Sequence, residues 1–246
     1  MMRSGNPALK DDIFQAARAM RGEEGMTLQG TVNKTGITLF ILMAAAMFTW
    51  TKHTQGYPMG GYMLLGGLGG FIVALVTIFK KDAAPYTTPL YGALEGLLLG
   101  ALSATYEARY PGIVMNAVGL TFGTLFALLL AYTSRLIKVT DNFRLGVAAA
   151  TGGIMVVYLI NMVMGFFGTR IPFIHESGMV GIGFSLFVVV LASLNLVMDF
   201  DFIERGAESN APKYMEWYGA FGLVVTLIWL YLEMLRLLSK LQSRRD

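Results

Sequence analysis

Charged residues are scarce in this chain, and cysteine is absent. Asp, Glu, Lys and Arg together make up 14% of the 246 residues, and there are two histidines. Soluble domains contain about 25% charged residues, so the composition argues against a soluble fold. Without cysteine, the chain cannot form disulfides or use thiolate chemistry. Hydrophobic residues dominate instead, at 55%.

Long stretches without Asp, Glu, Lys or Arg divide the sequence. A helix needs about 20 apolar residues to cross a hydrocarbon core about 30 Å thick. Seven stretches approach or exceed this length: 35–51, 53–79, 83–106 (interrupted by Glu95), 110–134, 145–169, 177–198 and 217–232. The sequence therefore predicts an all-α, polytopic membrane protein with seven transmembrane helices. Residues 1–30 form a polar N-terminal segment, 31–240 the transmembrane domain and 241–246 a short charged tail.

The basic residues lie mainly in the segments that flank the predicted helices. With seven helices, twelve Lys and Arg residues fall on the N-terminal side of the membrane and three on the other side. Because cytoplasmic loops are enriched in Lys and Arg, the N-terminus is expected in the cytoplasm. This distribution is an orientation signal, so a nucleic-acid partner is not predicted.

The C-terminal end conflicts with this orientation. It carries Arg236, Lys240, Arg244 and Arg245, yet an odd number of helices would place it on the outer side. Either the last helix does not cross fully, or the earlier charges determine the topology. The sequence leaves these two alternatives open.

Glycines recur at a four-residue spacing in three of the predicted helices. They are Gly66 and Gly70, then Gly92, Gly96 and Gly100, and then Gly119 and Gly123. Small residues at this spacing allow helix backbones to approach closely. Tight packing within the chain or in a dimer is expected, and Glu95 lies beside the second of these faces.

Two acids within apolar sequence, Asp199 and Glu233, are the first candidates for a functional site. A charged side chain at the centre of a membrane helix costs about 2.5–3.5 kcal/mol on insertion scales. Such an acid is tolerated when it is protonated, paired or exposed to water, and each condition makes it sensitive to pH.

Each of these two acids also has a purely structural interpretation. Asp199 follows Asn195 by one helical turn, which gives the sixth helix a polar stripe, or it is a helix-end acid in the headgroup region. Glu233 precedes Arg236 by three residues, a spacing that allows an ion pair within the helix.

Four further acids are weighed in the same way. Asp201 and Glu204 are expected to be loop acids, although Asp201 is also a rival to Asp199 as a proton sensor. Glu216 is either a partner of a helix dipole or a functional acid. Glu95 is an accessory candidate.

The functional hypothesis joins the sixth and seventh helices. If they pack together, Asp199 and Glu233 would approach each other, share a proton and titrate as a pair. When deprotonated they would attract a hard cation such as Ca²⁺, which prefers oxygen ligands. No resident cofactor or firm metal site is predicted, since Ca²⁺ would be transported.

Three motifs are distinctive: ALEGLLLG, LNLVMDFDFIERG and EWYGAFGLVVTLIWLYLEMLRLLSKL. They resemble motifs of the Bax inhibitor-1 family, and in particular of its bacterial, YccA-like branch. The resemblance covers residues 30–240 and implies seven helices with the last one central. It also implies a carboxylate pair, here Asp199 and Glu233, that gates a Ca²⁺ leak in response to pH. Glu233 stands where the family more often has Asp.

Other functions are considered beside the leak. A non-transporting regulator of a membrane-bound protease or of cell-survival machinery is the main alternative, with residues 1–30 as its partner-binding tail. An intramembrane aspartyl protease would need Asp where Glu233 stands. The two histidines, His53 and His175, lack the spacing of a zinc site, so no enzyme is predicted. A bacterial inner membrane is the expected location.

Overall fold

The computed structural model describes residues 25–168 and 178–244, and long helices account for most of them. The helices are α1 (Leu28–Thr54), α2 (Gly60–Phe79), α3 (Ala84–Arg109), α4 (Ile113–Thr133), α5 (Asp141–Phe166), α6 (Met179–Glu208) and α7 (Met215–Ser243). A 3-10 turn at Lys81–Ala83 joins α2 to α3. Within the described ranges there is no β-strand. The prediction of an all-α fold with seven long helices is confirmed.

Some predicted features lie outside the described residues. They are most of the N-terminal segment 1–30, His175 and the end of the charged tail. The first helix begins at Leu28, three residues before the predicted transmembrane domain, because the Thr27 side chain accepts a hydrogen bond from the backbone of Gly30 and caps it. Such caps favour the start of a helix at this position.

Six of the seven helices are long and apolar enough to cross a membrane. The exception is α3, which carries Glu95 and many small residues and packs against both α1 and α2. Since lipid-exposed helices must hydrogen-bond their own backbones, this architecture is that of a multi-pass membrane protein.

The last helix occupies the centre of the bundle. α7 packs against α1, α3, α4 and α6, and 56% of its most apolar window is buried, compared with 11% for α5. The expectation of a central last helix is therefore confirmed. α5, by contrast, is a peripheral helix.

Glycines bring α3 close to its neighbours. A Cβ atom on Gly96 would lie 2.3 Å from the Leu42 carbonyl oxygen of α1, and one on Gly66 would lie 2.6 Å from the Leu94 carbonyl oxygen. Gly119 and Gly123 behave differently, since a Cβ atom there would meet no described atom within 4 Å. The predicted packing role is confirmed for α2 and α3 and is wrong for α4 within this chain.

The sixth helix is longer than its charge-free stretch suggests. α6 continues ten residues past Met198 and ends at Glu208. The expectation that Asp201 and Glu204 are loop acids is therefore wrong. Their charges are compatible with a helix because each is paired with a basic side chain.

Candidate functional site

A row of polar contacts runs between α5, α6 and α7, and we call it the polar seam. It consists of Arg144, Thr151 and Tyr158 on α5, Asn195, Asp199 and Asp201 on α6, and Thr226, Glu233 and Arg236 on α7. Seven residues correspond to nearly two helical turns, so the three α5 side chains share one face. The seam thus places polar groups along a whole face of an otherwise apolar helix.

Glu233 is the most buried acid of the seam, with 2% of its surface exposed. Its Oε1 atom accepts hydrogen bonds from the Tyr158 hydroxyl and from Arg236 Nη1, both at 2.7 Å. Arg236 also donates to the Tyr158 oxygen at 2.6 Å. The ion pair that the three-residue spacing allows is therefore present, and Tyr158 links it to α5.

The second oxygen of Glu233 is left without a partner. Oε2 is buried and makes no hydrogen bond within the part of the chain that the structure describes. Buried carboxylate oxygens normally accept hydrogen bonds, and an unsatisfied one is costly. Glu233 therefore retains an oxygen that a proton or a cation can engage.

Asp199 lies in the middle of α6 and faces α7. Its side chain lies beside Thr226, whose hydroxyl donates to the Gly222 carbonyl at 3.2 Å. A Cβ atom on Gly222 would lie 3.8 Å from Asp199 Oδ1. Its Oδ2 atom is buried and has no hydrogen-bond partner among the described residues. Because α6 continues to Glu208, Asp199 is not a helix-end acid.

Asp201 points to a different neighbour. It is 8% exposed, and its Oδ2 atom pairs with Arg144 at 3.1 Å and with Arg205 at 2.6 Å. Two residues along a helix correspond to a rotation of about 200°, which explains why Asp201 and Asp199 do not share partners. Asp201 is thus neutralised by two guanidinium groups, whereas Asp199 contacts no cation among the described side chains.

The structure does not bring Asp199 and Glu233 into direct contact. Asp199 lies beside Thr226, and Glu233 lies seven residues further along α7, which corresponds to about 10 Å along the helix axis. The predicted shared proton is therefore not a feature of this conformation. The two acids instead occupy successive levels of the same seam.

The accessory acids have separate places in the bundle. Glu216 is fully buried and accepts hydrogen bonds from the Thr27 backbone and hydroxyl, at 2.9 and 2.8 Å, and from Lys34 and Lys213. It therefore joins the start of α7 to the start of α1. Glu95 is 9% exposed and its Oε1 atom packs against Gly70 of α2, which places it outside the seam.

Several important side chains are not apparent from the charge pattern. Arg144 and Tyr158 complete the seam, and Lys240 is 4% exposed and donates to the Gly181 carbonyl and the Ser185 hydroxyl of α6, at 2.9 and 2.8 Å. The regular seven-residue spacing of Arg144, Thr151 and Tyr158 in an apolar helix is the signal that could have revealed the first two.

No preassembled metal site accompanies these acids. Within residues 25–168 and 178–244, no group of three or more His, Asp or Glu side chains is placed to hold an ion. Asp199 and Glu233 each offer a single carboxylate to the seam.

The long apolar helices make this a polytopic membrane protein. Its buried acids lie on facing helices and form an internal polar seam. Residues 6–243 match the family described as Bax inhibitor 1 like, so the chain belongs to that family. No curated protein sequence matches the chain.

Proposed function

We propose that the protein is a pH-sensitive cation leak, with Ca²⁺ as the transported ion and the polar seam as its path. The observation that carries the proposal is the pair of buried, unpartnered carboxylate oxygens, Asp199 Oδ2 and Glu233 Oε2. Ionisable side chains within membrane helices mark ion and proton pathways. Membership of the Bax inhibitor 1 like family is consistent with this function, which is transport without a chemical reaction.

Protonation of Asp199 and Glu233 would make the cation flux depend on pH. An ionised carboxylate attracts Ca²⁺, which favours oxygen ligands, and a protonated one carries no charge. Ionised Asp199 and Glu233 would form two successive cation positions about 10 Å apart along α7. Ca²⁺ would move between them when α5 shifts away from α7.

α5 is the helix best suited to such a shift. Among the described residues, its contacts to α7 include the bonds among Tyr158, Glu233 and Arg236 and apolar packing around Trp229. It is also the least buried of the six candidate membrane spans. A cation at Glu233 would compete with Arg236 for the carboxylate. Binding of a cation at Glu233 would therefore weaken the contact that holds α5 to α7.

Calcium flux into liposomes that contain the purified protein, measured from pH 5 to pH 8, tests the proposal. We expect flux in the wild type to rise with pH in a sigmoidal curve. Asp199→Asn and Glu233→Gln should each lower the flux about tenfold or more and flatten its pH dependence, since the amides cannot ionise. Asp201→Asn tests the rival sensor, and Glu208→Gln, an exposed site on the same helix, is the matched control.

Flux that persists unchanged in both Asp199→Asn and Glu233→Gln would reject the seam as the path. Absence of protein-dependent flux at every pH would reject the leak itself. A non-transporting regulator of a membrane-bound protease would then be the leading function, and removal of residues 1–24 should abolish it.

We also propose that the protein lies in a bacterial inner membrane with its N-terminus in the cytoplasm. The excess of Lys and Arg in the loops on the N-terminal side supports this orientation. Because the chain has no cysteine, labelling of a single introduced cysteine shows on which side of the membrane that residue lies. A membrane-impermeant maleimide should label Gln55→Cys in intact cells and should label Lys138→Cys only after lysis; the reverse pattern would invert the topology.

A further inference from the structure

A long groove separates α1 from α4. Among the described helices, α1 and α4 both pack on α7 but not closely on each other. Two cavities of about 360 and 500 Å³ lie between them. Leu39 and Phe122 line both cavities, so the two cavities are neighbours along the groove.

The dimensions of the groove match those of a bilayer. On α1 its lining extends from Leu28 to Trp50, which corresponds to about 33 Å at the helical rise. The hydrocarbon core is about 30 Å thick. The walls are almost wholly apolar, and several lining residues, such as Val32 and Met47, are more than half exposed. The groove therefore opens laterally towards lipid chains.

One mouth of the groove carries a matched pair of charges. Arg135 Nη2 lies 2.7 Å from Glu204 Oε1, and the Arg135 side chain is 66% exposed. Glu204 also accepts a hydrogen bond from the Tyr132 hydroxyl. Both Arg135 and Glu204 line the larger cavity, so one positive and one negative group stand where the apolar groove meets the headgroup region.

The backbone of Arg135, at this mouth of the groove, has an unfavourable conformation. Arg135 has a φ angle of 60°, in the left-handed region where glycine or asparagine usually ends a helix. The Cβ atom of an L-residue other than glycine disfavours this conformation. The ion pair with Glu204, which also raises the pKa of the Arg135 guanidinium, holds the side chain at the mouth of the groove.

We propose that this groove binds a glycerophospholipid with a phosphoethanolamine headgroup. One acyl chain lies in the larger cavity between α1 and α4. The phosphate accepts hydrogen bonds from Arg135, since guanidinium groups suit phosphate geometry, and the headgroup ammonium donates to Glu204. A choline headgroup has no N–H to donate to Glu204, and a glycerol headgroup has no positive charge, so both bind more weakly.

Three variants separate the contributions of the acyl chain, the phosphate and the ammonium group: Gly36→Leu, Arg135→Gln and Glu204→Gln. Gly36 lines the larger cavity, and a Cβ atom there would meet no described atom within 4 Å, so Gly36→Leu fills the groove without a backbone clash. Gly123 on α4 has the same open surroundings but does not line either cavity. Gly123→Leu is therefore the matched control, and Arg135→Gln removes the phosphate contact.

The experiment is native mass spectrometry of the delipidated protein, titrated with phosphatidylethanolamine, phosphatidylcholine or phosphatidylglycerol of identical chains. We expect saturable binding of one phosphatidylethanolamine, about tenfold tighter than the other two lipids, as the loss of one charge-assisted hydrogen bond predicts. Glu204→Gln removes the charged acceptor for the ammonium and should remove this preference. Arg135→Gln should weaken binding of all three lipids, because each carries the phosphate, and Gly36→Leu should weaken binding of all three about tenfold.

Three results would overturn the proposal. Equal affinity for the three lipids would reject the headgroup assignment. Wild-type binding by Gly36→Leu would reject the groove as the place of the acyl chain. Equal weakening by Gly36→Leu and Gly123→Leu would indicate a general effect of the added side chain, and the groove would again be rejected.

Discussion

α3 and α5 are attached to the bundle by opposite means. α3 meets α1 through glycines that bring the two backbones into contact. α5 meets α6 and α7 through a small apolar cluster and also through hydrogen bonds and ion pairs between long polar side chains. Backbone contacts of this kind are steric and do not respond to pH or to ions. Polar contacts change strength when a partner gains or loses charge. We call the side of the bundle around α3 the fixed half. Under the proposed function, we expect the side around α5 to respond to pH, and we call it the regulated half.

The largest effect should come from the fixed interface. Gly96→Leu would place its Cβ atom 2.3 Å from the Leu42 carbonyl oxygen, so α1 and α3 would have to separate. We expect a loss of about 3 kcal/mol in the free energy of unfolding, as for severe overpacking, measured as a lower Tm in detergent micelles. Gly119→Leu is the control, because it adds the same side chain in open surroundings. A Tm equal to that of the control would contradict the steric account.

A buried ion pair also stabilises the fixed half of the bundle, and substitution of Glu216 tests this. Glu216→Gln would leave Lys34, whose side chain is 17% exposed, without its carboxylate. Removal of one member of a buried pair costs about 3–5 kcal/mol, and the partial exposure of Lys34 reduces our expectation to about 2 kcal/mol. Thermal unfolding of Glu216→Gln measures it.

The control for Glu216 is Glu204→Gln, which breaks the more exposed pair with Arg135. Exposed pairs contribute up to about 1 kcal/mol. If the two variants lowered Tm equally, burial would not be what makes Glu216 a structural anchor.

The regulated half should respond locally. Tyr158→Phe removes the hydroxyl that bonds both Glu233 and Arg236, at a cost of about 1–2 kcal/mol. Because this hydroxyl links α5 to α7, we expect faster hydrogen exchange in α5 and little change in α3. Tyr86→Phe is the control, since Tyr86 is 83% exposed. Equal acceleration in α3 and α5 would show that Tyr158 stabilises the whole bundle and does not specifically dock α5.

The fold was accessible from the sequence because its main determinants are local. Charge-free stretches and the spacing of Gly92, Gly96 and Gly100 need no knowledge of the partner helix. The resemblance to a known family added the central position of the last helix. The end of α6 was mispredicted, because paired charges at Asp201 and Glu204 were interpreted as a helix boundary.

The site was only partly accessible, because it depends on which helices face each other. The sequence identified Asp199 and Glu233 as unusual, and the spacing to Arg236 suggested its partner. The sequence could not reveal that Asp199 of α6 lies about two turns of α7 away from Glu233, since this depends on how α6 is aligned against α7. Tyr158 was missed because an aromatic residue in an apolar helix carries no charge signal.

The smallest expected fall in Tm comes from a neutral hydrogen bond of the polar seam, and it should not depend on pH. Thr151→Val removes the hydroxyl that accepts from Asn195 Nδ2 at 2.8 Å, while Asn195 keeps its second bond to the Leu191 carbonyl. The expected cost is below about 1 kcal/mol. Neither group titrates between pH 5 and 8, so the fall in Tm should be the same at both values. A Thr151→Val effect that changes with pH would contradict the proposal that the pH sensitivity of the seam arises from its carboxylates alone.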